Sequence, residues 1–158
     1  MITLEKITWD NWESCIKLRV KDEQDDFIAS NMYSLAQSYV ALLNDELPPM
    51  SYAICKDKTV IGFVMMYHDT AEENDYSEES YGICRFMIDK DFQGKGYGRE
   101  AFAKALDLIK TFPQGDAVSV YLSYDPKNEV ARRLYASFGF VENGDISGGE
   151  VVARLELE

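Results

Sequence analysis

The order of hydrophobic patterns along the 158-residue chain predicts an α/β fold, with helices on both faces of a mixed, partly antiparallel sheet. Three observations carry this. Helical patterns come first, a β-hairpin pattern follows, and the second half alternates strand and helix before a closing pair of strands. No linker, repeat or low-complexity segment interrupts the chain, so one domain over residues 1–158 is expected.

Each element has its own signal. "ITLEKI", residues 2–7, alternates as a short strand does, and Asp10 with Glu13 makes a capping-box-like start to a first helix. A second helix is predicted over 31–43, with Met32, Leu35, Tyr39 and Leu42 or Leu43 on one face, closed off by Pro48 and Pro49. Residues 51–67 read as a hairpin around the polar turn Lys56-Asp57-Lys58. "HDTAEENDYSEES", starting at His68, is acidic and without periodicity, and reads as a loop. A third apolar strand, "YGICRFMI" (81–88), leads into a glycine cluster and then a helix over 100–112 with Phe102, Leu106 and Ile109 on its apolar side. Strand 117–124, a helix with Pro126 in its first turn, and two short strands around "GDISGG" complete the series.

Composition narrows the function classes. The longest apolar stretch, Val60 to Tyr67, is too short to cross a bilayer, and the N-terminus lacks the basic and then apolar profile of a signal peptide. A cytoplasmic location is the expectation. Cys15, Cys55 and Cys84 form no CxxC pair, so reduced thiols are expected and no metal site is suggested. The net charge of −12 argues against a nucleic-acid partner and suits a cationic one. That charge is uneven: residues 1–84 carry 6 basic and 16 acidic groups, whereas 85–133 carry 9 and 7 and are net +2. The glycine cluster lies in the segment hospitable to an anion.

That cluster, "FQGKGYGRE", follows a strand and precedes a helix. This order builds an anion site from backbone N–H groups at the positive end of a helix dipole. Gly94, Gly96 and Gly98 give neither the GxGxxG of a dinucleotide fold nor a triphosphate-binding loop. What the segment resembles is the acyl-CoA motif Q/R-x-x-G-x-G/A of the GNAT family of N-acetyltransferases, matched by Gln93, Gly96 and Gly98. About thirty residues on, "NEVARRLYASFGF" resembles that family's second signature through Asn128, Ala131, Tyr135 and Gly139-Phe140. The element order resembles the family as well.

The resemblance implies acetyl-CoA as cosubstrate and a GNAT-type sheet. It implies that the backbone of Phe86, Met87 and Ile88 pairs with the pantetheine arm, and that the amides from Gly94 through Lys95, Gly96, Tyr97 and Gly98 to Arg99 cradle the pyrophosphate. Lys95 and Arg99 would add charge there. Asn128, Glu129, Val130 and Ala131 would contact the cosubstrate from the other side. Tyr135 is implied as the hydrogen-bond donor and acid for the departing thiolate, with a backbone N–H near Ile88 polarising the thioester carbonyl.

A general base is harder to find. Some relatives carry an acid on the strand before the glycine motif, where this chain has Cys84 and Arg85. Cys84 is expected in the core, Arg85 in a salt bridge to an acid of the first helical region, and His68 at the surface. More diffusely, "RVKDEQDDFIASNMYSLAQSYV" and the tail "GGEVVARLEL" look like the bacterial spermine/spermidine acetyltransferase branch. A polyamine would be drawn to acids such as Glu23, Asp26 and Glu73, with Asp25, Glu46, Glu72, Asp75, Glu78 and Glu79 as further candidates. Aminoglycosides and lysine side chains are also cationic acceptors, and a binding module without turnover is a third class. A homodimer is expected only by resemblance.

Overall fold

A computed structural model describes all 158 residues. In chain order the elements are β1 (Ile2–Lys6), α1 (Trp12–Lys17), a 3₁₀ helix (Asp22–Phe27), α2 (Asn31–Asn44), β2 (Met50–Lys56) and β3 (Thr59–Asp69). There follow β4 (Ser80–Ile88), a 3₁₀ turn (Lys90–Phe92), α3 (Tyr97–Ile109), β5 (Ser119–Tyr124), α4 (Glu129–Ser137), β6 (Val141–Ser147) and β7 (Glu150–Glu156). All seven strands join one sheet in the order β1-β2-β3-β4-β5-β7-β6. Every pairing is antiparallel except β4 with β5. This is the mixed, helix-covered sheet that the patterns predict.

The main core lies on the face covered by α3, where Ile61, Val64, Met66, Tyr81 and Val120 pack with Phe102, Ala105 and Ile109. A smaller cluster of Cys15, Phe63, Met65 and Met87 fills the opposite face beside α1. Two irregularities shape the middle of the sheet. Strands β4 and β5 pair only from Ser80–Gly82 to Ser119–Tyr121, after which β5 continues along β7 and β4 loses its neighbour. On its other edge β4 holds Met65 opposite Arg85 and Met66 opposite Ile83, so Cys84 is a bulge residue without a cross-strand partner. A bulge bends and twists its strand, which suits a strand leaving its neighbour at this point.

Several local expectations need correction. Helix α1 is entered through Asn11, whose Oδ1 accepts from the Thr8 amide at 2.8 Å, and the Asp10–Glu13 box does not form. Residues 22–27 form a 3₁₀ helix for which the sequence shows no apolar period. Helix α2 buries Asn31 and Ser34 instead of its large apolar residues. Asn31 Nδ2 donates to Cys15 O at 2.9 Å, Ser34 Oγ donates to Ser30 O at 3.1 Å, and Ser38 Oγ meets Ser51 Oγ at 2.9 Å. Met32, Tyr39, Leu42 and Leu43 are therefore exposed, and only Leu35 of the predicted face packs inward. Strand β3 runs through His68 to Asp69, beyond the predicted loop start. Helix α3 starts at Tyr97 and takes Gly98 into its first turn, and α4 starts at Glu129, which leaves Pro126 outside.

Candidate active site

Where β4 and β5 part, a cleft of about 740 Å³ opens. One wall is β4 from Ile83 to Ile88, whose edge toward β5 has no strand partner. Such an edge offers backbone donors and acceptors to an extended ligand. At its end Gln93 Nε2 donates to Ile88 O and to Gln24 Oε1, both at 2.9 Å, which pins the 3₁₀ helix to the cleft mouth. Asp89 secures the same corner by accepting from the amides of Arg19 and Asp91.

The glycine cluster closes this end. Gly94 and Gly96 have φ of 76° and 85°, the left-handed region that glycine enters without a Cβ penalty. A Cβ at either would meet nothing within 4 Å, so both face open space. Gly96 is the N-cap of α3 and offers no side-chain cap, which leaves the first amides of that helix free for an anion. Opposite, Asn128 caps α4 by accepting from the Ala131 amide at 3.2 Å.

Tyr135 is on α4 at the inner end of the cleft, with its ring packed against Phe102, Tyr124 and Phe140 and only 9% of the residue exposed. Burial, reinforced by the charge of Glu150, pushes its phenol well above the usual tyrosine range. It stays protonated and can act as a hydrogen-bond donor.

A second cavity, about 1070 Å³, lies against α2 and the end of β3. Asp45, Glu46, Asp69 and Glu73 bring four carboxylates to it, while Tyr33, Val40 and Leu47 supply apolar wall. Burial, and then the charge of Glu73, raises the Asp69 carboxyl. Cys84 and Arg85 wall both cavities, so the bulge is where the two meet. Above the sheet the loop before β4 is strapped down: Tyr76 stacks on Tyr121 at 3.8 Å, and Glu78 accepts from Tyr121 Oη and from Arg154 Nε and Nη2 at 2.9 and 3.0 Å.

Residues 4–140 match the model of the acetyltransferase (GNAT) family. The chain belongs to the GNAT family. A spermine/spermidine N(1)-acetyltransferase of Bacillus subtilis is 26% identical to it over 157 residues, covering 99% of both chains. Among solved structures, spermidine N-acetyltransferase from Vibrio cholerae, in complex with CoA and spermine, superposes with a TM-score of 0.69 at 23% identity, covering 99% of this chain and 94% of that one. An aminoglycoside acetyltransferase in complex with coenzyme A superposes with a TM-score of 0.75 at 16% identity, covering 99% and 95%. At that identity the likeness speaks for the fold.

Set on this GNAT fold, the residues named from sequence separate. Phe86, Met87, Ile88, Gln93, Gly94 and Gly98 all wall the first cleft, as do Asn128, Val130 and Ala131 across from them. Lys95, Gly96, Tyr97, Arg99 and Glu129 do not. Lys95 Nζ donates to Asp91 O at 3.3 Å, Lys56 sits over the Tyr97 ring, Arg99 Nη1 donates to Ser137 Oγ at 2.7 Å, and Glu129 pairs with Arg132. Of the acids, Glu73 and Glu46 line the second cavity, Asp26 lines the first cleft, and Glu23 lines neither. Glu78 is spent on Arg154.

Three further expectations change. Arg85 finds no acid; its Nη1 donates to Cys84 O at 2.9 Å and its Nη2 to Gln37 Oε1 at 2.8 Å. The His68 side chain is 6% exposed, with Nε2 2.9 Å from Asp116 O, so it is a packed group and not a surface one. Cys84 is half-buried at a cavity wall, with Sγ 3.4 Å from Met65 O. The residues missed by sequence reading are Lys21 and Gln24 of the cleft mouth and Asp45 and Asp69 of the second cavity. For Asp69 the period of β3 is a usable signal, because it continues the facing of Met65 and Tyr67.

Proposed function

We propose that this GNAT protein transfers the acetyl group of acetyl-CoA to a terminal amine of a polyamine. The observation that carries the reading is the junction at Cys84 and Arg85, where a cleft suited to an extended anionic ligand meets a cavity carrying four carboxylates and apolar wall. Methylene segments pack on Tyr33, Val40 and Leu47 while ammonium groups face the carboxylates.

The cosubstrate fit rests on three features of the chain: the unpaired edge of β4, the open space over Gly94 and Gly96, and the uncapped start of α3. Backbone of Phe86 to Ile88 would hold the pantetheine amides, and the amides from Gly94 to Arg99 the phosphates. Asn128 to Ala131 would line the opposite wall. Acetyl-CoA, when bound, supplies the acetyl thioester. The neutral amine donates its lone pair to the carbonyl carbon, the C–S bond breaks, and nitrogen loses one proton while sulfur gains one. Tyr135, held protonated, donates a hydrogen bond to the departing sulfur. Its raised pKa makes it a better stabiliser of the thiolate than a source of a fully transferred proton.

Thiol release from acetyl-CoA with spermine, spermidine, putrescine, an aminoglycoside and a lysine peptide, at a pH near 8 to 9, tests the reading. Turnover with spermine and spermidine well above the rest is expected. Turnover confined to the aminoglycoside or the peptide would overturn the polyamine assignment and keep the acetyl transfer. Binding of acetyl-CoA without turnover of any amine would leave a binding module.

A further inference from the structure

No acidic residue stands on β4, so the strand between the two cavities offers no carboxylate base. What stands there is a cation. Arg85 walls both cavities, donates to the Cys84 carbonyl and to Gln37, and has its Nε shut away from solvent with no partner. No carboxylate comes within 4.0 Å of its guanidinium, whereas Arg132 and Arg154 both have one. In a chain with 28 acidic and 16 basic side chains, a part-buried cation without a carboxylate is a costly arrangement. Gln37 is a neutral partner that fixes the guanidinium and leaves its charge uncancelled.

We propose that Arg85 is a positioning residue that makes the acceptor present a neutral amine at the thioester end, by repelling an ammonium there while the carboxylates at the other walls retain the distal ammonium groups. This rests on the amine-acetylating reading and adds the means by which the site works without a base on β4. A fixed charge several ångströms away, in a site of intermediate dielectric, displaces the protonation of an amine by on the order of one pH unit. Asp45, Glu46, Asp69 and Glu73 act oppositely on any nitrogen held near them, so the cavity has an end for charged nitrogens and an end for the nucleophile.

Among the other groups lining the two cavities Lys21 is the one further lysine or arginine, and it lines the first cleft alone, so Arg85 is the lysine or arginine of the acidic cavity. From β3 come Tyr67, Asp69 and His68, from α2 comes Tyr33, from the loop Glu73, and from the turn after α2 Asp45 and Glu46. Across the cleft stand Lys21, Asp26, Tyr124, Tyr135 and Glu150. Burial raises the Tyr67 phenol to about 12 and raises the Tyr124 and Tyr135 phenols and the Cys84 thiol. They stay neutral where a polyamine end loses its proton. The His68 ring is held at the Asp116 carbonyl.

The test compares wild type, Arg85→Gln and Arg85→Lys, using the amine that the wild type acetylates best. Three quantities are measured: the pH profile of kcat, coenzyme A affinity by calorimetry, and ¹⁵N NMR titration of the labelled amine bound to the enzyme–coenzyme A complex. In Arg85→Gln the acid limb of kcat and the NMR titration should both move up by about one pH unit. The rate at pH 7 should then fall about 10-fold and recover at alkaline pH, with coenzyme A affinity unchanged. Arg85→Lys should keep the wild-type limb. An equal fall at every pH, or an unmoved NMR titration in Arg85→Gln, would overturn the proposal and make Arg85 a structural tie between β4 and α2. A wild type that acetylates no amine would remove the acetyl-transfer reading itself and this inference with it.

Discussion

On one side of Cys84 and Arg85 the cavity is framed by three backbone features: a strand edge without a neighbour, two glycines at positive φ, and a helix start with no cap. On the other side it is made of side chains from two stretches of chain, 33–49 and 65–73, with carboxylates at Asp45, Glu46, Asp69 and Glu73. A backbone site is fixed by local conformation and is tolerant of most side chains, provided the glycines stay. A site of side chains from distant segments depends on how helices rotate and where strands end. The two cavities should therefore fail differently, the first through geometry and the second through charge.

The largest effect is expected where geometry is broken directly. Gly96→Val places a β-branched residue at φ 85°, at a strain on the order of 1–3 kcal/mol, and puts its methyls in the space in front of the α3 amides. Coenzyme A affinity measured by calorimetry should fall by about 100-fold, the worth of two charge-assisted hydrogen bonds. A loss smaller than about threefold would mean that α3 does not hold the phosphates. Tyr135→Phe tests the same cleft at its chemical end. Phenylalanine keeps the ring packed against Phe102, Tyr124 and Phe140, so stability and coenzyme A affinity should hold while kcat drops about 100-fold. Unchanged kcat would remove Tyr135 from the mechanism.

In the acidic cavity the expected effects are smaller and depend on the acceptor's charge. Asp69→Asn with Glu73→Gln should raise KM for spermidine by about 10-fold, with kcat within about twofold and a weaker dependence on salt. A monoamine should show no such change. An equal KM increase for both amines would show that these carboxylates shape the cavity without reading the second charge.

The same contrast explains what the sequence could disclose. Gly94, Gly96 and Gly98 sit within five residues, between a strand pattern and a helix pattern, so the glycine-rich end of the cleft could be read as a contiguous string. The sheet was legible for a related reason, since its strands alternate or run apolar over five or more residues. The rotation of α2 was not legible. Its inward strip is Asn31, Ser34 and Ser38, chosen by hydrogen bonds to Cys15 O and Ser51 that exist only after folding, so the apolar spacing pointed to the wrong face. Glu23 and Asp26 look equivalent in "DEQDDF", but the 3₁₀ helix turns Asp26 to the first cleft and leaves Glu23 in solvent. The partners of Arg85 are a carbonyl and an amide oxygen, which no charge pattern in the sequence discloses.

The strap over the sheet gives the smallest effect, and its sign follows from linkage. Hydrogen bonding from Arg154 holds the Glu78 carboxyl at about 2, below its ordinary value of 4.5, with Tyr121 as a further donor. A depressed carboxylate stabilises the folded state above its unfolded pKa and loses that contribution as pH falls toward the folded one. Glu78→Gln should therefore cost roughly 1–2 kcal/mol at pH 7, after allowance for solvent screening of a pair that is partly exposed. Urea unfolding should show the gap to wild type constant from pH 7 down to about 5 and narrowing between about 4.5 and 2. Because Tyr76, Glu78, Tyr121 and Arg154 line neither cavity, coenzyme A affinity should stay unchanged in this variant. A gap that stayed constant down to pH 3 would show that the loop is held by the Tyr76–Tyr121 stack rather than by the charge of Glu78.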